Sequence, residues 1–189
     1  MGAADFNTGM TLEGSRDELL AMLNVVKDYV TKKRYQYREN RDCAYLMSAH
    51  INGPNESGLG AHLSEMNDDD ILKFIDNHNG VVEIDASGPY GVFGFLDEVD
   101  LFRDIAEAAP NAKLVGGMGG FNSGGDMAAS FELKDGLLHC KYFQGEDEEY
   151  WEDEDEDEED WDEDDDWEYK EPDWTDEEVY DPVKKKYVR

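Results

Sequence analysis

The apolar positions of the chain change period several times, and each change marks an element. Met10 to Leu12 reads as a first short strand. Ser15, Arg16, Asp17 and Glu18 then have capping-box spacing: the Ser15 hydroxyl can accept from the Glu18 N–H, and the Glu18 carboxylate from the Ser15 N–H. Leu19, Met22, Leu23, Val26 and Val30 recur at helical spacing and predict a helix with one apolar stripe. Lys32, Lys33 and Arg34 are expected at its C-terminal end, where positive charge complements the helix dipole. Tyr45 to Ile51 suits a strand, closed by a turn at Asn52-Gly53-Pro54. The Gly and polar content of residues 55–63 predicts an exposed loop. Asn67 or Asp68 then caps a second helix, with Ile71, Leu72, Phe74 and Ile75 as its apolar face and Gly80 as its stop. Val81 to Ala86 alternates as a strand, and Ser87 to Gly94 is a loop. Asp97 is expected to cap a third helix through Leu101, Phe102, Ile105, Ala106 and Ala109, which Pro110 ends. Lys113 to Val115 resumes extended structure, and the Gly-rich run from Gly116 to Gly125 is expected to bend the chain. Met127 to Lys134 pairs with Leu137 to Phe143 across Asp135-Gly136, the strongest short-range hairpin signal present.

This order predicts an α+β domain: a mainly antiparallel sheet with helices covering one face. From Val81 to Phe143, the succession of strand, Pro-terminated helix, Gly-rich crossing and Asp-Gly hairpin resembles the ferredoxin-like domains of small phage and plasmid proteins. The likeness rests on pattern. It implies a ferredoxin-like variant of mobile-element origin and brings no catalytic residues with it.

Charge divides the chain. The net charge is -31, from 48 acidic and 17 basic side chains among 189 residues. From Glu146 to Asp181 there are 25 acidic residues against Lys170 alone, and Lys184, Lys185, Lys186 and Arg189 give the last residues a short basic end. The acidic stretch contains no Leu, Ile, Met or Ala, so it cannot bury enough apolar surface to offset the entropy of ordering. The expected organisation is therefore a globular domain over 1–145 and a disordered acidic tail over 146–189. So large a negative charge disfavours nucleic acid as a partner of the whole molecule and favours basic protein surfaces. Cys43 and Cys140 lack C-x-x-C spacing, which suits a reducing cytoplasm better than a disulfide framework. The first residues carry neither a secretory nor a myristoylation pattern, and no apolar run reaches membrane-spanning length, so no membrane partner is expected. The expected location is the cytoplasm, that of a bacterial host if the chain is mobile-element encoded.

Candidate chemistry is sparse. His50, His62, His78 and His139 are scattered, with no H-E-x-x-H and no clustered ligand set, and neighbouring His139 and Cys140 should point to opposite faces of a strand. Asp68, Asp69 and Asp70 diverge around a helix axis and serve its dipole. The Gly116–Gly125 run fits neither G-x-G-x-x-G nor G-K-[ST], and strands rather than a helix follow it. It is expected to offer Met118 and Phe121 as a loop contact. No cofactor, metal or catalytic residue is indicated, and the chain is expected not to be an enzyme. Between residues 32 and 41, Lys32, Lys33, Arg34, Arg38 and Arg41 interleave with Tyr35 and Tyr37. That segment suits a solvated surface, a dock for the acidic tail, or the one place where single-stranded nucleic acid could bind.

The acidic tail holds all four tryptophans, Trp151, Trp161, Trp167 and Trp174, with Tyr150, Tyr169 and Tyr180. Solubility needs no tryptophan. Indoles among carboxylates combine long-range attraction with desolvated anchors that stack on arginine. The expected contacts are these tryptophans with Tyr150, Tyr169, Glu152, Asp153, Glu154, Asp155, Asp157, Asp164 and Asp165. Two partner classes follow. One is a nucleic-acid-binding effector of CRISPR or restriction type, blocked by an acidic protein that resembles the nucleic-acid-mimicking inhibitors of phages and mobile elements. The other is a free basic protein, chaperoned or sequestered by the tail.

Overall fold

The computed structural model describes residues 6–31, 33–37, 41–44, 46, 48–54, 56, 60–88, 96–122, 125–144 and 176–188. They form β1 (Phe6–Glu13), α1 (Arg16–Thr31), β2 (Lys33–Tyr37), β3 (Arg41–Ala44), β4 (Ser48–Asn52) and β5 (Ala61–His62). A 3-10 turn (Leu63–Glu65), α2 (Asp68–Asn77), β6 (Val81–Gly88), α3 (Leu96–Ala108), β7 (Lys113–Asn122), β8 (Gly125–Lys134), β9 (Leu137–Gln144), β10 (Asp176–Asp181) and β11 (Lys186–Val188) follow. Nine strands make one sheet in the order β11-β10-β9-β8-β7-β1-β6-β4-β5, and β2 pairs with β3 apart from it. Every pairing in the large sheet is antiparallel. At its centre β7-β1-β6-β4 carries two crossovers, β1-α1-β4 and β6-α3-β7, each spanning one intervening strand.

Local chemistry explains the elements. The Ser15–Glu18 capping box forms, with Ser15 N–H donating to Glu18 Oε2 at 2.9 Å and Glu18 N–H to Ser15 Oγ at 3.4 Å. Asn67 and Asp70 cap α2 in the same reciprocal way. Asn79 and Gly80 (φ 54° and 75°) close α2 in the left-handed conformation, and Gly80 N–H reaches back to Ile75 O. Asp135 and Gly136 both have positive φ, which matches the twist of the two strands they join.

One core holds the molecule. Thr8, Met10 and Leu12 of β1, Val82, Ile84 and Ala86 of β6, Leu114 and Met118 of β7, and Ala129, Phe131 and Leu133 of β8 alternate inward. Against them pack Leu19, Met22, Leu23, Val26 and Tyr29 of α1, Ile71 and Ile75 of α2, and Leu101, Phe102, Ile105 and Ala106 of α3. The helices thus share one face of the sheet. Phe102 stacks on Phe131 at 3.8 Å between ring centroids, and it can do so because Gly116 lies beneath it: a Cβ there would stand 2.8 Å from the Phe102 ring and 2.9 Å from Met10 Cβ.

Several expectations are corrected. Helix α1 ends at Thr31, so Lys33 and Arg34 begin a strand rather than finish a helix. Helix α3 already includes Leu96, which puts Asp97 inside its first turn and not at the cap. The Gly-rich run does not bend away: β7 continues to Asn122 in unbroken register with β8, because glycines next to a flat aromatic ring and a close neighbouring strand let extended chain pass. Within the expected loop 55–63, Ala61–His62 pairs with β4. The acidic tail does not run on to the C-terminus as a separate region, since β10 and β11 extend the sheet beyond β9 and bury Tyr180. What that reading lacked was a reason for Val179, Tyr180 and Tyr187 to alternate around the Asp181-Pro182 turn.

Two outcomes test this packing. Gly116→Ala should cost about 1–3 kcal/mol by overpacking, whereas Gly9→Ala, whose nearest atom would be Asp85 Oδ1 at 3.8 Å, should be tolerated; urea melts compare them. Ending the chain at Gly145 should lower the thermal midpoint and, in a Cys43→Ser background, speed thiol labelling of buried Cys140. Equal labelling rates would show that β10–β11 does not cover this edge.

Candidate functional site

Two regions of the described structure present chemistry. The first is the edge where β10 and β11 dock. Glu178 and Tyr180 of β10 stand opposite Cys140 and Leu138 of β9, which directs Tyr180 toward the helices. Its hydroxyl donates to Glu107 Oε1 at 2.6 Å, and the Lys185 ammonium donates to the other oxygen of the same carboxylate. Arg103, one helical turn before Glu107, lies 5.9 Å from the centroids of both Tyr180 and Tyr187. Asp181 closes the turn by accepting from the N–H groups of Val183 and Lys184 and from Lys184 Nζ at 2.7 Å.

The ionisation of these groups follows from the geometry. Burial works to raise the Glu107 carboxyl, but hydrogen bonds from Lys185 and Tyr180 outweigh it and hold the group below its usual range. Tyr180 is pushed up to about 12 by burial and by the carboxylate it donates to. Lys185 is raised by its hydrogen bond and charge pairing with Glu107. Burial pushes the Cys140 thiol up to about 11, so it is an inert core group and not a nucleophile.

Because β9 and β10 are adjacent antiparallel strands, residues 145–175 leave and return at the same end of the sheet, next to the Tyr142–Asp176 pair. The acidic segment is therefore a connection fastened at both ends. Trp151, Trp161, Trp167, Trp174, Tyr150, Tyr169, Glu152, Asp153, Glu154, Asp155, Asp157, Asp164 and Asp165 lie within it, outside the described residues. Lys32 and Arg38 also fall outside the described residues, whereas Lys33 and Arg34 lie in β2 and Arg41 in β3. Met118 is 5% exposed on the inner face of β7, in the core rather than on a contact loop. Phe121 lies in the same strand, and its side chain is not among those described.

The second region is the outer face of the sheet, which no described element covers. Registers align one row across it: His62 of β5, His50 of β4, Asp85 of β6, Gly9 of β1, Gly117 of β7, Ser130 of β8, Lys141 of β9 and Glu177 of β10. A cavity of about 410 Å³ opens over Asn7, Gly9, Ser48, His50, Asp85 and Ser87. The Ser48 and Ser87 hydroxyls meet at 2.9 Å, and Asn52 Nδ2 donates to Asp85 Oδ2 at 3.3 Å. A second hollow of about 290 Å³ lies nearer β10, where His139 Nδ1 is 3.3 Å from Glu177 Oε1. Sequence reasoning treated the histidines as scattered. The fold brings His50 and His62 into contact, with ring centroids 4.1 Å apart and planes tilted by 47°, and only the β4–β5 register, which no local pattern announces, does so.

No protein-family model, curated protein or solved structure matches the chain. Among the described residues, no helix is long and apolar enough to cross a membrane.

The docked edge should respond to pH in a defined sense. Groups raised on folding stabilise below their unfolded values, so Tyr180 supports docking up to about pH 10 and loses it as pH rises toward 12, and Lys185, also raised, adds support that is lost on the alkaline side of its ordinary range. Glu107, lowered on folding, supports docking above the ordinary carboxylate range and loses it on acidification below that range. Tyr180 should therefore ionise late in the tyrosinate absorbance titration, together with Tyr142 and Tyr187, which burial also raises, and Tyr180→Phe should remove one tyrosine from that late phase and cost about 1 kcal/mol.

Proposed function

We propose that this chain is a non-catalytic acidic inhibitor that occupies the basic surface of a nucleic-acid-binding effector, of CRISPR or restriction type, through residues 145–175. The carrying observation is the bracketing of that segment by β9 and β10. Twenty-one carboxylates and all four tryptophans are held between two strands that are themselves fixed to the sheet and to α3. Mimicry of a phosphate backbone needs carboxylates presented from a defined place on a fold, and anchoring at both ends supports this over the free solvated tail that suits a chaperone of basic proteins. The charge draws the partner in, and the indoles supply desolvated anchors, among them stacking on arginine. Binding replaces nucleic acid in the partner's groove, so inhibition requires no turnover by this chain.

The strand order β7-β1-β6-β4 with two split crossovers supports assigning the centre of the sheet to the ferredoxin-like class. We assign the protein, on its resemblance to small phage and plasmid proteins, to a mobile element acting in a bacterial cytoplasm. The alternative, sequestration of free basic proteins, uses the same charge but no particular groove.

The experiment replaces residues 146–174 by a two-residue Asn-Gly turn, which keeps β9, β10 and β11. The shortened protein should retain a cooperative melt and lose capture of the effector and inhibition of its nuclease activity. Replacing the four tryptophans by Ala should chiefly raise the dissociation rate, whereas neutralising carboxylates should slow association and flatten its salt dependence. Undiminished inhibition by the shortened protein would overturn the proposal, and capture of histone-like or ribosomal proteins alone would replace it with the sequestering reading.

A further inference from the structure

We propose that the hollow over Gly9 on the outer face of the sheet is a binding site for a guanidinium group, that of an arginine side chain on a protein partner. Asn7, Gly9, Ser48, His50, Asp85 and Ser87 line it, and its volume is about 410 Å³. Asp85 supplies the charge. Its Oδ2 accepts from Asn52 Nδ2 at 3.3 Å, while its Oδ1 is the atom nearest to where a side chain on Gly9 would begin, 3.8 Å from that point, and so faces the hollow. Among the described residues no Lys, Arg or His forms an ion pair with this carboxylate. The Ser48 and Ser87 hydroxyls, 2.9 Å apart, share one hydrogen between them and keep lone pairs for a further donor.

Gly9 is an independent observation. A glycine inside a strand forgoes packing and chain stiffness, and it has a reason where the backbone needs a positive φ, where a neighbour leaves no room, or where something approaches the backbone from outside. The first two do not hold here: the φ of Gly9 is not positive, and the Cβ it lacks would meet only Asp85 Oδ1, at ordinary van der Waals distance. What is left is an open floor of bare peptide. A guanidinium suits that floor, being flat enough to lie on the peptide, cationic toward Asp85, and furnished with five donors and no acceptor, so that every oxygen on the rim is a partner it can use. An ammonium is a point charge and gains nothing from the flat surface.

The place of the hollow ties it to the proposed function, on which the nature of the partner rests. Register carries one row from the Tyr142–Asp176 pair, where residues 145–175 leave and return, through Ala129, Met118 and Thr8 to Ala86 and Ala49. Asn7, Ser87 and Ser48 lie one position beyond that row, so the hollow opens at the same end of the sheet as the acidic segment. From β9 to β1 is three strand spacings, or about 15 Å. A basic partner drawn in by the segment can set an arginine there as well.

The test uses the full-length chain, isotopically labelled for amide NMR, in about 0.15 M salt to screen the acidic segment. The probe is N-acetyl-L-arginine N-methylamide, with its lysine analogue beside it. The amide signals of Gly9, Asp85 and Ser87 should shift saturably with the arginine probe at about millimolar concentration, and the lysine probe should bind about fivefold more weakly or worse. Asp85→Asn, which keeps an oxygen for Asn52 to donate to, and Gly9→Ala, which the packing tolerates, should each weaken arginine binding about fivefold or more. Thermal melts check that both fold; should Asp85→Asn melt early, Gly9→Ala carries the test. Equal response to the two probes, or unchanged binding in Gly9→Ala or in a folded Asp85→Asn, would overturn the site. So would a response at these amides that vanishes when residues 146–174 are replaced by the Asn-Gly turn. Because the probe is read without a partner, its failure leaves the inhibitor reading standing, and failure of inhibition leaves the guanidinium site standing.

Discussion

Phe102 can lie flat on Phe131 only because residue 116 has no side chain, and most of the arrangement hangs from that contact. It sets the height and rotation of α3 on the sheet. The residues that follow Phe102 then face three ways at helical spacing. Ile105 continues into the core, and Asp104 accepts a hydrogen bond from Tyr29 of α1 at 2.7 Å. Arg103 and Glu107, four apart on one flank, meet Tyr180, Tyr187 and Lys185 of the last hairpin. A single turn of helix therefore joins the sheet, the neighbouring helix and the edge strands.

The three described helices pack on one face, and this frees the other to be largely polar, with Val115 exposed on it. Inner positions must be filled closely, whereas outer ones carry Asn7, Thr11, Glu83, Asp85, Glu132 and Lys141 with little packing constraint. The small residues Gly9 and Gly117 lie between His50, His62 and Asp85 on one side and His139, Lys141 and Glu177 on the other, so chemistry can differ between the halves while the core beneath stays continuous.

Much of this was legible in the chain. The apolar stripe from Leu19 to Val26, the Ser15–Glu18 capping box, the Asn67 cap, the Gly80 stop and the Asp135-Gly136 hairpin are local signals, and each element stands where its signal lies. What escaped depends on partners distant in sequence. Glycines read as breakers from Gly116 onward, yet they extend a strand because an aromatic ring and a neighbouring strand occupy the space that side chains would take. His50 and His62 became neighbours only through strand register. The two short final strands were hidden by their setting: Glu177 and Glu178 belong to the acidic count, while Val179 and Tyr180 needed β9 and Glu107 before their alternation meant anything. The expected loop contact of Met118 failed for the same reason, since burial follows from the sheet and not from the glycines around it.

A chain fastened at both ends enters a partner differently from one with a free end. Residues 145–175 cannot be threaded through a closed ring or fed end-first into a tunnel, because both of their exits return to neighbouring strands. They can only be laid into a cleft as a doubled chain. Half of their contour, about 50 Å at full extension, bounds how far from the sheet any contact can be made. On the proposed function, the topology of the anchor thus restricts the surfaces that this segment can engage to those that admit a doubled chain, whatever their charge.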